Sequence, residues 1–279
     1  MLCREKSYCS NCKITFECIP KLEYLEIIFS KITKKFLLEI NKYYIDFIEA
    51  IGKVGKERYF VVIEEEKIFL ERKGHDVKYC RNDFGIKVFF NKRKVYCFVK
   101  ENIYSFDSML RVIFSALLVK KGGVLVHSSG IINKNFGYLF IGKSGKGKST
   151  IVKNVLSKKI KILSDELVGM VILNNSVYTF PSPFWGEMWR EKEKICVEKR
   201  KKLFKVRKLF FLSEHCKNTE FVKVDNFFAM KSLLSNSLYF FESTKLTKKV
   251  LNNVSKICSY VKCYKLNFDK SFVVREKYL

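Results

Sequence analysis

The chain has 279 residues, 48% of them hydrophobic, with 54 Lys and Arg against 28 Asp and Glu and a formal charge of +26. That much apolar material excludes wholesale disorder and fits one large domain or two ordinary ones. The charge favours anionic partners but selects none of them, because a coding bias toward Lys, Ile, Asn and Phe gives the same balance.

No stretch near the start has the shape of a signal peptide, and the best apolar run, around Val112 to Val119, is too short to span a bilayer. The expectation is therefore a cytoplasmic protein with no membrane span and with reduced thiols. Four cysteines crowd the beginning: Cys3, Cys9, Cys12 and Cys18 stand at C-x5-C-x2-C-x5-C. Four thiolates so placed can close around Zn²⁺ or an Fe–S cluster; the alternative is free thiols in an ordered arm.

Residues Lys21 to Ile51 read as one or two helices, with strand an equal reading for the early part. Short β-branched and aromatic runs follow at Tyr59 to Glu64, Lys67 to Arg72, Val77 to Arg81, Gly85 to Phe90 and Val95 to Lys100. Charged turns separate them, so they predict antiparallel strands or hairpins. A helix is expected from Phe106 to Lys120, capped by Ser105 and stopped by Gly122-Gly123. Beyond it strands and helices alternate: strands at Val124 to Val126, Ile131-Ile132 and Tyr138 to Ile141, then a helix from Lys148 to Ser157. Further strands are predicted at Lys161 to Ser164, Val168 to Leu173, Val177 to Phe180, Leu209 to Leu212 and Cys263 to Asn267, with helices near Phe227 to Leu234 and Leu246 to Val261. This alternation is the pattern of an α/β core.

Between Ile141 and the helix at Lys148 lies Gly142-Lys143-Ser144-Gly145-Lys146-Gly147-Lys148-Ser149, which fits G-x-x-x-x-G-K-[ST] at every fixed position. Glycines let such a loop curl until its N–H groups point inward at phosphate oxygens. Lys148 would then reach the β- and γ-phosphates, Ser149 would bind Mg²⁺, and Thr150 would continue the nucleotide contacts on a helix N-terminus. Seventeen residues beyond Lys148 comes Asp165, followed by Glu166, at the end of an apolar strand. An acid so placed can hold a metal or take a proton from an attacking hydroxyl. His127, after the strand Val124 to Val126, can orient Asp165 or be an ordinary polar strand end.

His127-Ser-Ser-Gly, the loop with Ser144 and Gly145 inside it, and Leu163-Ser-Asp-Glu-Leu occur in the order and spacing of the HPr kinase superfamily, which this stretch resembles. The resemblance covers residues 120 to 190, and its loop form is shared with the ATP-type phosphoenolpyruvate carboxykinases. It implies an α/β fold with a P-loop core of HPr kinase/phosphoenolpyruvate carboxykinase type over 104–279; the first hundred residues fall outside the resemblance and read as a smaller mixed α+β N-terminal module over 1–103 that helps choose the substrate. It implies Asp165 as catalytic base with His127 beside it, and Lys148 serving the phosphates. Mg²⁺ would be held by Ser149, with Glu166 where the family has a second Asp and Glu187 as a further ligand. The surroundings of Glu187 lack the Arg-Gly that follows it in true HPr kinases. The segment from Thr179 to Gly186 looks nearer to the related peptide-serine kinases of lasso-peptide-type biosynthesis.

From Arg190 to Lys208 ten basic residues outnumber Glu191, Glu193 and Glu198, either as a grip for an acidic substrate or as a solvated face. Interleaved aromatics are too few for a nucleic-acid platform, so the expected partners are a nucleotide and an acceptor peptide or protein, and a homo-oligomer is allowed. The expected reaction is ATP- and Mg²⁺-dependent transfer to a serine hydroxyl. A small-metabolite kinase, a non-catalytic nucleotide-binding module and pyrophosphate as donor stay open.

Overall fold

A computed structural model of the chain describes residues 8–20, 23–49, 58–155, 159–188, 197–198, 202–215, 219–240, 242–269 and 272–279. It divides into two units, one of residues 1–116 with 240–243, the other of 117–239 with 244–279. The division falls inside a helix, rather than ahead of it at 103/104.

In the first unit the described strands are β1 (Tyr8–Ile19), β2 (Glu23–Thr33), β3 (Ile48–Glu49), β4 (Arg58–Ile63), β5 (Val77–Cys80), β6 (Phe84–Phe89) and β7 (Lys94–Val99). They form one mixed sheet in the order β3-β1-β2-β4-β7-β6-β5. Helix α1 (Lys34–Tyr43) starts at Thr33, whose hydroxyl accepts from Phe36 N. The run expected as a strand at Lys67 to Arg72 is instead the short helix α2 (Glu66–Glu71). Only Phe69 of its residues is buried, and the Lys87 ammonium donates to the carbonyls of Phe69, Leu70 and Arg72 at 2.7, 3.0 and 2.8 Å. Helix C-termini leave carbonyls unsatisfied, and a cation from a neighbouring strand settles three of them here.

Helix α3 (Ile103–Lys120) begins earlier than its sequence suggests. Asn102 Oδ1 accepts from Tyr104 N at 2.8 Å and takes the capping role, while the expected cap, Ser105, donates to Asp83 instead. No described helix is long and apolar enough to cross a membrane.

The second unit contains β8 (Gly123–Asn133), β9 (Phe136–Ile141), α4 (Lys148–Lys153), β10 (Lys161–Ser164), β11 (Leu167–Leu173), β12 (Ser176–Phe180) and β13 (Phe204–His215). After these come β14 (Glu220–Lys223), α5 (Asn226–Asn236), β15 (Ser237–Leu238), α6 (Thr244–Tyr260) and β16 (Lys262–Phe268). Residues 123–127 of β8 pair with β11, and 128–133 pair with β9. Strand β11 pairs with β12, β12 with β13, and β13 in parallel with β9. The result is a mixed α/β fold with a closed circuit of five strands, to which β10, β14, β15 and β16 are added from outside. Strand β9 is flanked on both edges and buried on both faces, which is why it reads Phe-Gly-Tyr-Leu-Phe-Ile without alternation. Its Tyr138 and Phe140 join Ile151 and Val152 of α4, Ile162 of β10, Phe210 of β13 and Leu266 of β16 in one core.

Candidate functional site

Strand β9 delivers the chain into the glycine-rich loop, and α4 takes it out. Gly145 and Gly147 have φ of 78° and 84°, the left-handed region that glycine enters without steric cost, and Gly147 is the cap residue of α4. The loop is tied at its base by Gly142 N donating to the His127 carbonyl at 3.4 Å. Lys148 folds back along it, donating to the carbonyls of Gly142 and Lys143 at 2.8 and 3.0 Å. Burial pushes the Lys148 ammonium below the usual lysine value, and the carboxylates of Glu166 and Asp165 partly offset this.

Opposite the loop, the link from β10 to β11 carries Asp165 and Glu166. Asp165 is buried, and three donors converge on its carboxylate: Gly186 N at 2.8 Å, Met188 N at 3.1 Å and the Ser149 hydroxyl at 3.2 Å. Ser164 fixes the same turn by donating to the Phe184 carbonyl at 2.5 Å and accepting from Glu166 N at 3.1 Å. The backbone of β8 holds it from the other side, through Ser128 N to the Glu166 carbonyl at 3.0 Å.

Between these walls lies a cavity of about 440 Å³. Ser144, Gly145, Gly147, Lys148, Ser149 and Thr150 line one side; Asp165, Glu166, Gly186 and Glu187 line the other. The sequence-selected loop, acid pair and Glu187 therefore meet around one space, with Glu187 exposed at its edge. Gly142, Lys143 and Lys146 do not line it and face a second cavity on the other side of the loop. His127 lies inside β8 rather than at a strand end, in register with Leu167, and is not among the lining residues.

Sequence reasoning missed the amides of Gly186 and Met188, which have no side-chain signature, and the Ser164 hydroxyl, which its place directly before the acid could have suggested. Gly186 approaches closely: a Cβ there would lie 3.2 Å from Asp165 Oδ2 and 3.3 Å from Glu166 Cβ. Gly186→Ala should displace the carboxylate and lower stability by about 1 kcal/mol, the low end for overpacking, as read from urea unfolding. An unchanged midpoint would show that the 184–188 segment yields freely.

Among the described residues, no group of three or more His, Cys, Asp or Glu side chains is placed to hold a metal ion. Of the N-terminal thiols, Cys9 and Cys12 are free and half-buried on β1, and Cys9 raises the Cys12 thiol above its usual value through a hydrogen bond. Cys3 and the side chain of Cys18 lie outside the described residues, as does most of the basic run from Arg190 to Lys201. No protein-family model matches the chain, and no curated protein matches it.

Proposed function

We propose that the chain binds ATP with Mg²⁺ in the 440 Å³ cavity and transfers the γ-phosphoryl group to a serine hydroxyl of a peptide or protein. The observation that carries the reading is the convergence on one cavity of a glycine-rich loop with its lysine and a buried, triply hydrogen-bonded carboxylate. The P-loop core of HPr kinase/phosphoenolpyruvate carboxykinase type belongs to this reading, as does substrate recognition by the N-terminal residues.

Loop amides and the Lys148 ammonium would hold the phosphate chain, and positioning with charge neutralisation would supply most of the rate. A carboxylate offers about four lone-pair sites. Three on Asp165 accept from Gly186, Met188 and Ser149, which leaves one to receive a proton. The acceptor oxygen would attack the γ-phosphorus, the bond to the β-phosphate oxygen would break, ADP would leave, and the hydroxyl proton would pass to Asp165. The Ser149 hydroxyl, Glu166 and Glu187 are hard oxygen donors lining the cavity, which suits Mg²⁺, a cation that takes one or two carboxylates together with substrate phosphates. When bound, Mg²⁺ would neutralise charge on the phosphates.

The deciding experiment is equilibrium binding of a fluorescent ATP analogue to the full chain with Mg²⁺, with intact-mass analysis of serine peptides and hydroxylated metabolites after incubation with ATP. No affinity for any nucleotide or for pyrophosphate would end the proposal, and a product with metabolites alone would reject the peptide acceptor.

A pH dependence follows from Lys148, whose ammonium titrates below 10.5 because of burial. Nucleotide affinity should fall as pH rises through that lowered value, ahead of an ordinary lysine. Stability of the unliganded chain should move the other way, rising between the lowered value and 10.5, since the unfolded chain holds the proton longer. Lys148→Met should weaken nucleotide binding by about 2 kcal/mol, the worth of hydrogen bonds to a charged group. Lys148→Arg should keep its affinity level across the same alkaline range.

A further inference from the structure

The loop has a second side. Across it from the phosphate cavity lies a larger space of about 640 Å³ lined by the parallel strands β9, β13 and β16. Ile141, Phe211 and Lys265 stand in register on those three strands and form part of its lining. Helix α5 supplies the facing wall through Phe228, Lys231, Ser232, Ser235 and Asn236. Those positions fall at i, i+3, i+4, i+7 and i+8, which is a single helical face. A face turned toward a sheet in this way would be apolar if its role were packing. This one carries an ammonium, two hydroxyls and an amide.

Lys143 and Lys146 of the loop complete a set of four lysines around the space, and no acid lines it among the described residues. Among the described residues none of Lys143, Lys231 and Lys265 forms an ion pair with an acid. The same cavity holds apolar surface from Ile141, Leu212, Phe211 and Phe228, and the Phe211 and Phe228 rings meet edge to face with centroids 6.1 Å apart. Phe227, next in the chain, is 79% exposed. An inorganic anion would use the ammonium groups and leave the aromatic surface idle. A segment that alternates carboxylates with apolar side chains uses both.

We infer that this lysine-lined cleft binds an acidic, apolar-containing segment of the acceptor peptide, placed across the loop from the phosphate cavity. The inference rests on the phosphoryl-transfer reading for its purpose, but binding to the cleft can be measured without it.

The test uses fluorescence anisotropy on the full chain. The probes are a labelled serine peptide flanked by glutamates and leucines, its twin with glutamine for every glutamate, and labelled oligothymidylate. The glutamate peptide should bind with an affinity that falls as salt rises, and the glutamine twin should bind far more weakly. The double variant Lys231→Glu/Lys265→Glu should lose roughly tenfold in affinity for the glutamate peptide, with Lys231→Gln/Lys265→Gln losing less and Lys256→Glu on α6 losing nothing. Equal binding of the twins would overturn the inference. So would indifference to both double variants, or capture of oligothymidylate through these lysines with no binding of the glutamate peptide. Nucleotide affinity, measured in the same preparations, separates the two readings. Its absence with peptide binding intact sinks phosphoryl transfer and leaves the cleft standing; the reverse sinks the cleft alone.

Discussion

Asp165→Asn should lower phosphoryl transfer by about 10²–10⁴-fold, the usual worth of a positioned acid or base, while nucleotide affinity changes little. The amide has no basicity with which to take the acceptor proton. It also accepts on one side only, whereas the carboxylate accepts from Gly186 N on Oδ1 and from Met188 N and Ser149 on Oδ2. An Asn side chain must turn its NH₂ toward one of those donors, and a buried donor left unpaired costs about 1–3 kcal/mol. Initial rates and thermal melts on one preparation test both parts. A variant that melts earlier but transfers at the normal rate would make Asp165 a structural brace and remove it from the chemistry.

Phe140→Ala should cost about 3–5 kcal/mol, enough to unfold much of an ordinary domain. Phe140 is 1% exposed and stacks on Phe210 with centroids 5.0 Å apart and an angle of 17° between the rings. The pair joins β9 to its parallel neighbour β13 immediately before the loop, so the loss falls on the strand that aims Gly142. Urea unfolding measures it, with Phe227→Ser as the contrast, since an exposed residue should change stability by no more than about 0.5 kcal/mol. Similar midpoints for the two variants would show that the β9–β13 contact is not where the unit's stability resides.

The loop and its flanks were legible because each local signal agreed with the next: a doubly buried strand, glycines where φ must be positive, then a helix. The acid pair was legible as a strand end beside that loop. Helix α2 was not, because Ile68, Phe69 and Leu70 suggest a strand and the deciding group is the Lys87 ammonium, donated from β6. Circuit closure was hidden for a similar reason, since β9 pairs with β13 across more than sixty residues and no periodicity reports such a partner. His127 was placed at a strand end because Val124 to Val126 looked complete, yet Ser128 and Ser129 continue β8 as buried residues. The lysine-lined cleft was invisible because its groups come from the loop, three strands and a helix, each ordinary in its own segment.

The two walls of the 440 Å³ cavity have unequal footing. The loop springs from a strand inside the closed circuit, bonded along both edges, while the carboxylate stands between β11, which belongs to the circuit, and β10, which pairs with β8 alone among the named strands. Segments with the fewest shared bonds are the first to open in a native protein. Any breathing of the pocket should thus be drawn from the β10 side of the acidic rim, leaving the glycine-rich loop as the fixed jaw.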